Sequence, residues 1–163
     1  MSIQVIDFEL KDDEQAICGQ STFNLLAVEE LYKAVATGSP SALFGIAFSE
    51  GSDNRILRVT GNDDYLMNKS SDLIKKINAG HYYIILMKNA YPIQVLNNIK
   101  LLSTTVNIQV ASGNDIKVIT YKLADVSSVI GFTDGLGPQS IENEETKTNR
   151  RNMIRAIGYL EKD

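Results

Sequence analysis

The feature that most restricts this chain is Tyr82-Tyr83-Ile84-Ile85-Leu86-Met87, a run of large, largely apolar side chains with polar residues only beyond its ends. A half-exposed strand would alternate. A continuous run of this length reads as a central strand buried on both faces. Gly80 before it reads as the left-handed residue that closes a helix, so His81, the only histidine of the protein, is expected to open the strand. Lys88-Asn89-Ala90 should end it, and Pro92 suits the first turn of the following helix. Ligands of open α/β sheets sit at strand ends, which makes His81 and Lys88-Asn89 the first places to look for chemistry.

The remaining chain supplies partners for this strand. Ile3 to Leu10 and Ala16 to Phe23 read as strands around a charged turn at Lys11 to Glu14. Ala27 to Ala36 places Val28, Leu31, Tyr32 and Val35 on one helical face. Ala42 to Phe48 and Arg55 to Thr60 flank the turn Ser49-Glu50-Gly51-Ser52-Asp53-Asn54 and read as a hairpin. Asn62 is the expected N-cap of the next helix, with Asp63 and Asp64 suiting its dipole and Leu66, Leu73, Ile74 and Ile77 on its inner face. Strands follow at Val106 to Val110, Ile116 to Tyr121 and Val126 to Phe132. Glu142 to Ile157 is the last helix, with Met153, Ile154 and Ile157 as its apolar face and Gly158 as its stop. Strands and helices alternate only in part, so a mixed β-sheet covered by helices in two or three layers is expected, as one domain spanning residues 1–163.

Composition narrows the function. The net charge is -4 with no basic block, which argues against binding a nucleic-acid backbone. Cys18 is the single cysteine; it can form neither an internal disulfide nor a zinc site, and a reducing cytoplasm is the expected home. No run of ~18 apolar residues suggests a membrane span. Met1 to Leu10 lacks the basic and apolar regions of a leader. Walker and Rossmann glycine patterns are missing.

The candidate groups each have an ordinary reading. A lone histidine is commonly a surface or satisfied core residue. At a Gly-bounded strand start, a neutral imidazole could instead serve as base or nucleophile. Glu50, Asp53, Asp63, Asp64 and Asp134 fall at element ends, where turn and cap chemistry favours carboxylates; Asp134 differs in terminating an apolar strand. Asn89 could cap the helix at Pro92. Arg150 and Arg155 could simply complement the last helix's dipole.

Several motifs together are more specific. Gly45-Ile46-Ala47-Phe48-Ser49-Glu50, Gly61-Asn62-Asp63, Ala79-Gly80-His81, Asn89-Ala90-Tyr91-Pro92-Ile93 followed by Val95-Leu96-Asn97, Ile130-Gly131 with Asp134-Gly135 and Pro138, and Arg155-Ala156-Ile157-Gly158-Tyr159 resemble the adenosine-specific kinase family over about residues 27 to 160. The resemblance implies a three-layer αβα sandwich, a homo-oligomer with a trimer as first expectation, adenosine or AMP as ligand, and a phosphorylatable histidine. That histidine is His81. Glu50, Asn62, Asp63, Asn89 and Asp134 occupy the family's other polar motif positions. The chain departs from the family at Val110-Ala111-Ser112-Gly113-Asn114-Asp115, which keeps only Ala111 and Asn114 of a Cys-Ala-Thr-Ala-Asn-Pro segment. It departs again at Val126-Ser127-Ser128, which replaces Gly-Arg-Gly and removes an arginine.

The expectation from these readings is an adenosine- or AMP-binding phosphotransfer protein. His81 and Asp134 are its catalytic candidates, and Glu50, Asn62, Asp63, Lys88, Asn89, Asn114 and Arg155 its substrate-binding candidates. The phosphoryl donor would be ATP with Mg2+, or another donor; Glu50 or Asp134 could orient the imidazole or hold the ion. The alternative is a non-catalytic adenine-nucleotide binding or sensor module.

Overall fold

The computed structural model describes residues 1–22, 27–52 and 54–157. The expectations at Phe23, Asp53, Gly158 and Tyr159 lie outside the described residues. The elements run β1 (Ser2–Phe8), β2 (Gln15–Ser21), α1 (Ala27–Gly38), β3 (Leu43–Ser49), β4 (Leu57–Gly61), α2 (Asp64–Ile77), β5 (Tyr82–Lys88), α3 (Pro92–Lys100), β6 (Thr105–Ser112), β7 (Ile116–Leu123), β8 (Val126–Asp134) and α4 (Glu144–Ala156).

The apolar run is β5, the middle strand of a five-stranded sheet ordered β4-β3-β5-β2-β6. Tyr82 through Met87 are all buried, as expected for a strand covered on both faces. Alternate side chains of β5 serve different cores. Tyr83, Ile85 and Met87 join Phe44, Ile46 and Phe48 of β3 against Leu31 and Val35 of α1 and Val95 and Ile99 of α3. Tyr82, Ile84 and Leu86 face the other way, onto Leu66, Leu73, Ile74 and Ile77 of α2. Phe8, Ile116 and Val118 enter that second core from a three-stranded sheet ordered β1-β7-β8. The result is an α/β sandwich: two helices, the large sheet, then a layer shared by α2 and the small sheet.

The sheet detail corrects the expected single mixed sheet. All described strand pairings are antiparallel and belong to two sheets. The turn at Ala111 to Asp115 passes the chain from one sheet to the other, because Asp134 ties it to the end of β8. Ser112 Oγ donates to Asp134 Oδ1 at 2.5 Å, and Asn114 Nδ2 donates to the same oxygen at 3.0 Å. The expected hairpin over 42–60 is β3–β4, and β7 and β8 form another.

Glycine sets how closely α2 approaches the sheet. A methyl group on Gly45 would lie 2.2 Å from the Leu66 carbonyl carbon and the Met67 nitrogen, so α2 rests its backbone directly on β3. At the far end of the chain, α4 buries no residue, and Met153 and Ile157 of its apolar face stay exposed.

Candidate functional site

The corner before β5 is built from local caps. Asn78, not Gly80, takes the left-handed conformation that closes α2 (φ 54°), and its N–H donates to Ile74 O. Asparagine tolerates this region because its short polar side chain compensates locally. Here Asn78 Nδ2 donates to Asp125 O at 3.0 Å and Asn78 O accepts from Ser127 N at 2.9 Å. Those two bonds pin the β7–β8 hairpin tip beside the corner. His81 then precedes β5 instead of opening it, with φ 51°. A non-glycine residue there costs ~1–3 kcal/mol and persists only where the surroundings hold it. The surroundings are identifiable: Ser21 N donates to His81 O at 2.8 Å, and the imidazole stacks near Phe48, with ring centroids 6.2 Å apart and planes 9° from parallel.

Gly51 closes the other side. A methyl group at this position would lie 3.1 Å from His81 Nε2 and 3.2 Å from its neighbouring carbons. Nε2 itself is covered, while the residue as a whole is half-buried. Glu50, buried at the end of β3, accepts from Ser52 Oγ at 2.5 Å and from Arg58 Nη2 at 2.9 Å. The Ser52 hydrogen bond holds the Glu50 carboxyl below the usual carboxylate range against the opposing effect of burial; Arg58 and the His81 imidazole add to the lowering. Glu50 is therefore an anion within electrostatic reach of the histidine. A cleft of about 330 Å³ opens here, with Glu50, Gly51, Asn78, Gly80 and Val126 in its wall.

The other candidates gather elsewhere. Lys88 ends β5 and faces Asp13 at 3.2 Å and buried Glu14 at 3.9 Å; Lys69 of α2 also binds Glu14. Asn89 is an exposed left-handed corner, and the N-cap of α3 is Tyr91, whose N–H donates to Gln94 Oε1 at 2.7 Å. Asp63, one residue past the expected position, caps α2 by accepting from Leu66 N at 2.8 Å. Asn62 instead staples the chain back to β3, accepting from Phe44 N and donating to Ala42 O. Asn114 and Asp134 form the closed network with Ser112. Ser112 pairs with Ala16, and Ala16 with Leu86. That register puts the network five residues along from His81, roughly 17 Å at ~3.4 Å per residue. Arg155 is half-buried on α4.

Within one chain, then, His81 meets Glu50 but not Asp134. Among the described residues, no three of His, Cys, Asp and Glu converge to hold a metal ion, and Glu50 is already committed to Ser52 and Arg58. The sequence reading missed Arg58, Ser52 and Gly51. The signal for Arg58 was the hairpin itself, since it sits opposite Phe48. A cavity of about 750 Å³ between Lys11, Tyr65 and Lys69 is lined by none of the candidates.

Comparison with known proteins agrees with this architecture. A crystal structure of the PH1918 protein from Pyrococcus horikoshii OT3 superposes with a TM-score of 0.91, at 40% identity over 99% of each chain. A search of curated proteins finds no match. The family described as "Adenosine specific kinase" matches residues 6–160, a span that contains the His81–Glu50 corner and the Asp134 network alike. By that match over nearly its whole length, the chain belongs to the adenosine-specific kinase family.

Proposed function

We propose that this protein binds adenosine or AMP and transfers a phosphoryl group through His81. The observation that carries the reading is the corner itself: a histidine held in an unfavourable backbone conformation, packed between Phe48 and Gly51, beside an ionised Glu50. In the first step a ring nitrogen of His81 attacks the donor's terminal phosphorus. The N–P bond forms, the bond to the leaving oxygen breaks, and its electron pair stays with that oxygen. In the second step a ribose hydroxyl oxygen attacks the same phosphorus. The N–P electrons return to the imidazole, and the hydroxyl proton leaves to solvent or to Glu50. Dividing one transfer into two is the usual gain of covalent catalysis. Magnesium would arrive on the phosphates of ATP or another donor, as that ion commonly does.

Asp134 and Asn114 enter this reading through assembly. A closed homo-oligomer, a trimer as first expectation, would bring one subunit's Asp134 network and α4, with Arg155, to the neighbour's His81 corner. The uncovered apolar face of α4 supports such contact. Lys88, Asn62, Asp63 and Asn89 then shape the far end of the sheet.

A second reading has an observation of its own. Nε2 is buried on the side of Gly51, and Val126-Ser127-Ser128 carries no arginine; both suit a sensor that binds adenine nucleotides without turnover. Incubation with ATP and adenosine separates the two: the transferase forms AMP, and the sensor binds adenosine in a calorimeter while forming none.

A further inference from the structure

A second cavity of about 240 Å³ lies between the two sheets, and it shares Ala79, Gly80 and Val126 with the cleft beside Glu50. Its walls differ in kind from those of every other hollow described above. None of its lining residues is charged: Gln20, Gln109, Ser127 and Ser128 supply amides and hydroxyls, and Leu123 and Val129 supply apolar surface. Tyr82 lines it too. This side chain is only 2% exposed, and its hydroxyl has no hydrogen-bond partner among the described residues. Nine in ten buried polar groups find one, and leaving one unmade costs ~1–3 kcal/mol. Burial also drives the Tyr82 phenol well above its ordinary pKa, so it stays neutral and able to donate.

We propose that this cavity is the nucleobase subsite and that the Tyr82 hydroxyl, with Ser127 and Ser128, reads the hydrogen-bonding edge of the base. The inference rests on the nucleoside-binding reading above and adds where the base goes. A phosphate would find no countercharge here, whereas a neutral heterocycle with ring nitrogens matches phenol, hydroxyl and amide groups. The volume lies below the ~300–1,000 Å³ of pockets for drug-sized ligands, which suits a base and excludes a dinucleotide. With the base seated here, the sugar crosses Gly80 and Val126 into the cleft beside Glu50, and His81 follows Gly80 directly in the chain. The Val126-Ser127-Ser128 segment thus offers hydroxyls to the base in this chain.

Titration calorimetry with adenosine tests the assignment in wild type, Tyr82→Phe and Ser128→Phe, alongside melting curves. Tyr82→Phe should weaken adenosine about tenfold, the loss of one buried hydrogen bond, while its melting temperature holds or rises because an unsatisfied hydroxyl has gone. Ser128→Phe, at an exposed position on the cavity wall, should weaken adenosine at least as much and leave ribose 5-phosphate binding unchanged. Adenosine bound with wild-type affinity by both variants would overturn the subsite and leave the nucleoside-binding reading standing. A wild type that binds neither adenosine nor AMP at millimolar concentration would overturn both.

Discussion

The two ends of β5 carry polar residues that solve opposite problems. At the Lys88 end, charges close on one another: Lys69 and Lys88 surround buried Glu14, and Ser112, Asn114 and Asp134 saturate each other nearby. At the His81 end the backbone is held in a left-handed corner, the ring is packed by an aromatic and a glycine, and one carboxylate is kept ionised beside it. The first arrangement stabilises a fold. The second spends backbone energy to hold one ring in place, and such strain clusters at functional sites. Equal distance from the middle of a buried strand therefore does not make equal chemistry.

The largest expected effect concerns whether the two ends meet between subunits. His81→Asn and Asp134→Ala chains should each form no AMP alone. Refolded together, they should regain measurable AMP formation if the sites are shared across a subunit boundary. Mixtures as inactive as the single variants, or light scattering that shows only an 18.0 kDa species, would confine each site to one chain.

Next in size is stability at the Lys88 end. Glu14→Ala strips the counter-charge from Lys69 and Lys88 and should cost about 3 kcal/mol, a fall in melting temperature of roughly 6–12 °C for a chain of this length. Adenosine affinity should not change. An affinity loss larger than the stability loss would mean that the Lys88 end belongs to the binding site.

At the His81 end, Gly51→Ala should leave the melting temperature nearly unchanged and slow phosphate incorporation about tenfold, or ~1.4 kcal/mol. Its methyl group must push against Nε2 from 3.1 Å. Unchanged incorporation would show that the reacting nitrogen is not approached past Gly51. The smallest effect is titration of Glu50. Its folded-state pKa lies below the ordinary 4.5, so its contribution to stability is complete above that value and is lost as pH falls through the lowered pKa. In denaturant melts from pH 6 to 3, Glu50→Gln should flatten this part of the acid limb; a limb as steep as wild type would assign the acid sensitivity to other carboxylates such as Glu14.

The comparison also explains what the sequence made legible. The burial of β5 and the helices at Ala27, Pro92 and near Asn62 and Glu142 follow from local periodicity and caps, and these the structure reproduces. Partner choice among strands was hidden: nothing local tells Ile116 to Tyr121 to leave β6 and join β1, because that pairing is fixed by contacts over a hundred residues away, such as Ser2 with Lys122. Gly80 misled for a similar reason. Asparagine can take the left-handed position when its amide has a partner, and Asn78 finds one in Asp125 across the fold. His81 was legible as a strand-end residue; its neighbours Arg58 and Gly51 required the hairpin to be folded in space.

The central claim is that His81 carries the phosphoryl group. Mass spectrometry of the protein after incubation with ATP, kept alkaline so that phosphohistidine survives, measures it directly. The account predicts one acid-labile phosphate on the peptide that contains His81 in wild type, and none in His81→Asn, with the variant melting close to wild type because the corner tolerates asparagine. An unphosphorylated wild type, together with a variant that melts far earlier, would make His81 a structural residue and contradict the covalent mechanism.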